Sequence, residues 1–333
     1  MGAFLSSEKK RQASFKADFP YFSDAARADG EYKGTPRTFC LPLDYAEENL
    51  FPEIRQSAQA YFSSQGIHWH DGHKGKPSNH LCDSQVCCVN FLLPFAHRPR
   101  ELAEVLRPLF PAIREMIPIE NGQYVAFEWI GRENYLNEKI PHGGQRTRGA
   151  NFTSADAAII FERTDGERQF VLIEWKYTES YGGASLKISK HGTDRTSIYK
   201  PLFLRDDCPL NKELLPNFDA LYYEPFYQLM RQQFLAHEME RANELGASAV
   251  CVLHIAPAHN SDFREVTSPE LEALGKTAMD VWRTLVRGRD KFMSVTTEQL
   301  FGNLSEDQLP DMRTWLEYIG KRYTWVHERG TPL

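Results

Sequence analysis

No run of 18 apolar residues occurs in the 333-residue chain, so no segment is expected to cross a bilayer as a helix. The opening stretch Met1 to Lys10 lacks the apolar core of a secretory signal. Gly2 with Ser6 fits the short myristoylation pattern, which has meaning only in a eukaryote and is set aside. Six cysteines (Cys40, Cys82, Cys87, Cys88, Cys208 and Cys251) fall at no disulfide-framework spacing, and adjacent Cys87-Cys88 in an apolar run read as reduced core residues. A cytoplasmic location is the expectation. There is no P-loop spacing, which argues against ATP-driven translocation by this chain. Internal repeats, low-complexity tracts and a Pro/Ser linker are also missing. The net charge of −6 argues against indiscriminate coating of nucleic acid while leaving room for a local basic groove.

What the chain does have is an ordinary globular composition, 41% hydrophobic and 25% charged, with length for one large domain with additions or for two. Two short runs stand out. Ser154 to Phe161 and Phe170 to Tyr177 are apolar and rich in β-branched or aromatic residues, as strands are. Asp165-Gly166 lies between them, a strong hairpin signal. Side chains alternate along a strand, so Glu174 and Lys176 share a face and Trp175 takes the other. Asp156, near the start of the first strand, can come level with the end of the second. Two carboxylates and an ammonium then meet at one end of an apolar sheet. Such a repelling acid pair suits Mg²⁺, which takes one or two carboxylates plus water and phosphate oxygens. The lysine can position a water and neutralise charge building at phosphorus.

Asp156 followed by Glu174-Trp175-Lys176 on the next strand resembles the signature of the PD-(D/E)xK nuclease superfamily, with Ala155 where proline is frequent. The wider runs Arg148 to Asp156 and Ile173 to Glu179, and the segment Ser84 to Leu93, are similar to a group of poorly characterised restriction endonucleases. The resemblance implies an αβββαβ core with a mixed sheet flanked by helices, and N- and C-terminal helical additions. It implies a Mg²⁺-dependent endonuclease acting on DNA, with Mn²⁺ able to substitute. Asp156 and Glu174 would hold the metal and Lys176 would orient the attacking water. Several such nucleases carry a third acid ahead of the aspartate strand; Glu138 is the candidate and Glu128 the runner-up. A Gln or Lys on the helix after Glu-x-Lys can reach the site, which points to Gln228, with Arg231 beside it.

Along the chain, residues 1–40 read as a polar surface arm. Asp44 to Ser63 has helical spacing, with Pro52 in its first turns. His68, His70, His73, His80, Cys82, Cys87 and Cys88 fit no standard zinc arrangement, and a solvated histidine-rich loop before a buried segment is expected. Ser84 to Leu93 reads as buried helix or strand, with Gln85 and Asn90 needing partners. Glu101 to Met116 reads as a helix bent at Pro111, and Gln123 to Ile130 as the first strand of the sheet. Residues 183–205 carry five cations, Lys187, Lys190, Arg195, Lys200 and Arg205, against Asp194 alone. With His191 and Tyr199 they form the best phosphate-contacting loop, so Lys187, Lys190 and Arg195 are the DNA-binding candidates. Glu224 to about Leu245 reads as a helix with Gly246 at its C′ position, followed by a buried strand ending at Ile255. Leu271 to Val286 and Gln308 to Ile319 read as buttressing helices.

The expected organisation is an extension over 1–99, a nuclease core over 100–260 and a helical buttress over 261–333. DNA is the expected partner, a homodimer is a compatible assembly, and neither a membrane nor a small-molecule cofactor is expected. Two alternatives stay open: a junction-resolving or repair nuclease, and an inactive nucleic-acid-binding module of the same fold.

Overall fold

The turn at Asp165-Gly166 closes as its residues require. Gly166 takes a φ of +85°, its N–H donates to the Arg163 carbonyl at 2.9 Å, and Arg163 N–H donates to the Glu167 carbonyl at 2.8 Å. The strands it joins are antiparallel, with Ala157 opposite Ile173 and Phe161 opposite Gln169.

The computed structural model describes residues 2–140, 144–150, 152–190 and 192–328. Numbered along the chain, the N-terminal part comprises α1 (Ala3–Asp18), the small hairpin β1 (Gly30–Tyr32) and β2 (Thr35–Arg37), α2 (Arg55–Ser64), α3 (Ser84–Leu92) and α4 (Pro99–Leu106). The sheet begins with β3 (Ile113–Ile117), β4 (Ala126–Trp129), β5 (Ala155–Arg163) and β6 (Arg168–Trp175). After it come α5 (Thr196–Leu204), α6 (Phe226–Arg241), β7 (Ala247–Ala256), α7 (Ala278–Leu285), β8 (Phe292–Thr296), α8 (Thr297–Phe301) and α9 (Arg313–Arg322). The main sheet runs β3-β5-β6-β7-β8, with β4 also paired to β5. Pairing is antiparallel from β3 to β6 and parallel from β6 to β8, so the sheet is mixed.

Helices cover both faces. Ala157, Ile159, Val171, Ile173, Trp175, Leu253 and Ile255 pack with α1 to α4, α8 and α9. Ala158, Ile160, Phe170, Leu172, Val250 and Val252 pack with α5 to α7. A sheet buried on both sides carries near-continuous apolar strands, which is why β5, β6 and β7 read clearly from sequence.

Several expectations need correction. Residues 3–18 are not part of a surface arm but a helix whose inner stripe, Phe4, Glu8, Gln12 and Phe15, is buried. Gln12 Nε2 donates to the Arg322 carbonyl at 3.1 Å, and Arg322 Nε donates back to Gln12 Oε1 at 3.1 Å, tying α1 to α9. The helix expected over 101–116 stops at Leu106. Pro108 and Pro111 deny it backbone donors, and Ile113 to Ile117 become β3 instead. β4 is therefore not the first strand, and it spans four residues rather than eight. The helix expected from Asp44 begins only at Arg55, after two 3₁₀ turns. α6 ends at Arg241, and Asn243 takes the left-handed conformation, at φ +51°, ahead of Gly246. The C-terminal part is not helical throughout, since β8 adds an edge strand to the sheet.

Candidate active site

The register of the sheet assembles a polar row from strands far apart in sequence. Ala157 pairs with Ile173 on β6 and with Phe127 on β4. One residue further, the same register sets Asp156 against Glu174 on one side and Glu128 on the other. Glu174 pairs with His254, and His254 with Ser294. By strand alternation Asp156 and Glu174 share the face of Ala158 and Leu172, the one covered by α6.

Each group is held by named partners. Asp156 Oδ2 accepts the Trp175 N–H at 2.7 Å. The Glu174 carboxylate, 1% exposed, is gripped between the Lys176 ammonium and the Gln232 side-chain amide. Lys176 Nζ donates to Gln228 Oε1 at 2.9 Å, and Lys176 N–H donates to the Ile255 carbonyl at 2.8 Å. Gln228 and Gln232 stand four apart on α6 and so present one helix face to the acids. Glu128 accepts from Gln85 Nε2 and from Ser154 Oγ, both at 2.7 Å. Its φ of +49° is a left-handed conformation that costs about 1–3 kcal/mol in a non-glycine residue.

Burial, and then the Glu174 charge, raise the Asp156 carboxyl well above its ordinary value. Burial also raises Glu128, against the hydrogen bonds from Ser154 and Gln85. At Lys176 burial disfavours the charge, but Glu174 and the neighbouring acids outweigh it and hold the ammonium well above the usual lysine range. Lys176 is thus a fixed cation and donor, not a ready base. His254 is pushed down to about 3 by burial and by the Lys176 charge, so it stays neutral, with Nδ1 at 3.0 Å from Ser294 Oγ.

Two carboxylates in adjacent register, one with a raised proton affinity, are the donor set a small hard dication would relieve. Among the described residues three more buried polar atoms, Gln232 Oε1, Glu224 Oε2 and the Tyr181 hydroxyl, have no partner, and Glu224 and Tyr181 both feel the Lys176 charge. Among the described residues no group of three or more His, Cys, Asp or Glu converges as a ready-made cage. The residues therefore fit Mg²⁺, which keeps much of its water, better than a fully protein-ligated ion.

Of the residues singled out from sequence, Asp156, Glu174, Lys176 and Gln228 come together. Glu138 sits elsewhere: it accepts from Thr153 N–H at 2.8 Å, Thr153 Oγ1 at 2.6 Å and the Tyr199 hydroxyl at 2.8 Å. The runner-up Glu128 is the acid in the row. Lys187 pairs with Asp219 at 2.7 Å, Lys190 is exposed, and Arg195 lies over the Tyr227 ring at 5.1 Å. His191 and Asn151 lie outside the described residues. Of the histidine-rich segment, His70 faces Asp83 at 3.9 Å and is raised to about 9 chiefly by its interaction with that acid, while the cysteines are buried. Sequence reasoning missed Gln232, Ser154 and His254. Gln232 was findable as the i+4 neighbour of Gln228; His254, alone in an apolar strand, was not.

The chain belongs to the family described as restriction endonuclease associating with ARP, which matches residues 8–324. Comparison with curated proteins and with solved structures gives no match. The mixed α/β architecture is consistent with a restriction-endonuclease-like fold. No helix among the described residues is long and apolar enough to cross a membrane.

Proposed function

We propose that this member of a restriction endonuclease family is a Mg²⁺-dependent enzyme that hydrolyses DNA phosphodiester bonds in a restriction or defence role. The observation that carries the reading is the Asp156–Glu174–Lys176 set, with the lysine locked as a cation by the second acid. Asp156 and Glu174 would hold the ion, which when bound supplies an acidified water and charge stabilisation. Lys176 donates to the attacking water or to a phosphoryl oxygen and offsets the charge gathering there. Gln228 and Gln232 keep Lys176 and Glu174 aimed from α6. Glu128, rather than Glu138, is the third acid in this reading, because it flanks Asp156. Lys190 and Arg195 are the positions of the basic loop proposed to meet DNA phosphate, Lys187 being engaged by Asp219. Association with ARP, part of the family description, is carried over as a proposal and is checked by co-purification.

A plasmid and oligonucleotide panel with Mg²⁺, Mn²⁺ or EDTA tests the reading. Cleavage of DNA that depends on either metal is expected. Folded protein that binds DNA yet never cuts it would leave the binding module standing.

A further inference from the structure

Beside the acidic row, α6 also walls a cavity of about 510 Å³, lined by Lys139, Phe152, Arg195, Tyr199, Tyr227 and Arg231. Arg231 is the group there that asks for a ligand. It is half-buried, and its Nε donates to Thr153 Oγ1 at 2.9 Å. Among the described residues its two terminal nitrogens have no hydrogen-bond partner, and no carboxylate stands within ion-pair distance. Arg231 and Arg195 each lie 5.1 Å from the centroid of the Tyr227 ring, so one aromatic holds two guanidinium groups at the cavity wall. The acid on that wall, Glu138, accepts from Thr153 and Tyr199; its charge and that of Glu224 favour the Arg231 cation without pairing with it directly. Arg195 donates one terminal N–H to the Leu186 carbonyl, and neither guanidinium forms a direct ion pair among the described residues, so two partly desolvated cations beside exposed Lys139 make a site for an anion.

We propose that this cavity is a phosphate subsite for the DNA strand that flanks the scissile bond. Position favours a strand over a free anion. Arg231 faces the cavity while Gln232, the next residue, grips Glu174, and Thr153, which Arg231 holds, lies three residues before Asp156. The cavity is also larger than a lone phosphate needs, which leaves room for the sugar or base attached to it. The source of the phosphate rests on the nuclease reading above; the anion site itself does not.

The test is DNA binding, not cleavage. Anisotropy of a labelled duplex is followed in EDTA across a salt series for wild type, Arg231→Gln and the double variant Lys139→Gln/Arg195→Gln. Thermal unfolding confirms that each variant is folded, and Lys139→Gln alone, on an exposed residue, provides a variant with no packing at stake. Each lost phosphate contact should weaken binding and lower the slope of log K against log salt by about 0.9. Inorganic phosphate should compete with DNA on wild type and lose that effect in Arg231→Gln. Glu174→Gln should keep the full slope while losing cleavage; wild type that binds DNA through Arg231 but never cuts it sinks the nuclease reading and leaves the subsite intact. Unchanged slopes in folded Arg231→Gln and in the double variant overturn the proposal. So does inorganic phosphate that binds through Arg231 without displacing DNA, which would make this a small-anion site.

Discussion

Asp156 Oδ2 accepts the backbone N–H of Trp175 at 2.7 Å, which ties the first acid of the row to the residue that separates Glu174 from Lys176. The spacing of the two acids is therefore set by hairpin register and a backbone donor, not by adjustable side-chain packing. On the far side, Lys176 N–H on the Ile255 carbonyl fixes the end of β6 to β7. A site built this way is preorganised by the sheet itself.

The identity of the third acid is testable by a pair of variants. Glu128→Gln should lower DNA cleavage by about a hundredfold, on the scale of losing one aimed electrostatic group. Glu138→Gln should act more weakly and through Thr153, changing DNA affinity more than turnover. Single-turnover rates alongside binding constants separate the two; the reverse ranking would return the role to Glu138.

Helix α1 is a structural part of the core, and Glu8 is its most sensitive position. Glu8 Oε2 accepts the Tyr177 hydroxyl at 2.6 Å and Trp325 Nε1–H at 3.1 Å, in a site where burial raises its proton affinity. Glu8→Ala orphans both donors, so a loss of about 2 kcal/mol or more is expected, from about 1–3 kcal/mol per unsatisfied group. Glu8→Gln keeps an acceptor and should cost less. Urea unfolding measures both; changes within about 0.5 kcal/mol, typical of a surface site, would mean α1 does not dock as described.

His254 gives the protein an acid-sensitive component. Its folded value near 3 lies below the ordinary 6.5, so between those limits the unfolded chain binds a proton that the folded chain does not. Its contribution is therefore present above about pH 6.5 and is lost as pH falls towards 3, at about 1.4 kcal/mol per pH unit. The difference in unfolding free energy between wild type and His254→Gln should shrink along that slope on acidification. A difference independent of pH would place a charged or exposed imidazole there.

Legibility from sequence followed burial. β5, β6 and β7 are covered on both faces and wrote themselves as continuous apolar runs, while β8, Phe-Met-Ser-Val-Thr at the sheet edge, did not. α1 was hidden because half of its inner stripe is Glu8 and Gln12, whose partners Tyr177, Trp325 and Arg322 lie more than 160 residues away. Asp156, Glu174 and Lys176 were readable because a single hairpin unites them. Glu128 and His254 join the row only through strand register, and Glu128 does so from a left-handed residue that no local pattern announces.

The central claim, that Asp156, Glu174 and Lys176 work a metal ion on DNA, is tested most directly by single-turnover cleavage of supercoiled plasmid in Mg²⁺, with DNA binding measured in parallel. Wild type should nick or linearise the plasmid in Mg²⁺ and not in EDTA. Asp156→Asn, Glu174→Gln and Lys176→Gln should each cut at least about a hundredfold more slowly while still binding DNA. Wild-type cutting that persists in EDTA, or Asp156→Asn cutting at the wild-type rate, would contradict the account.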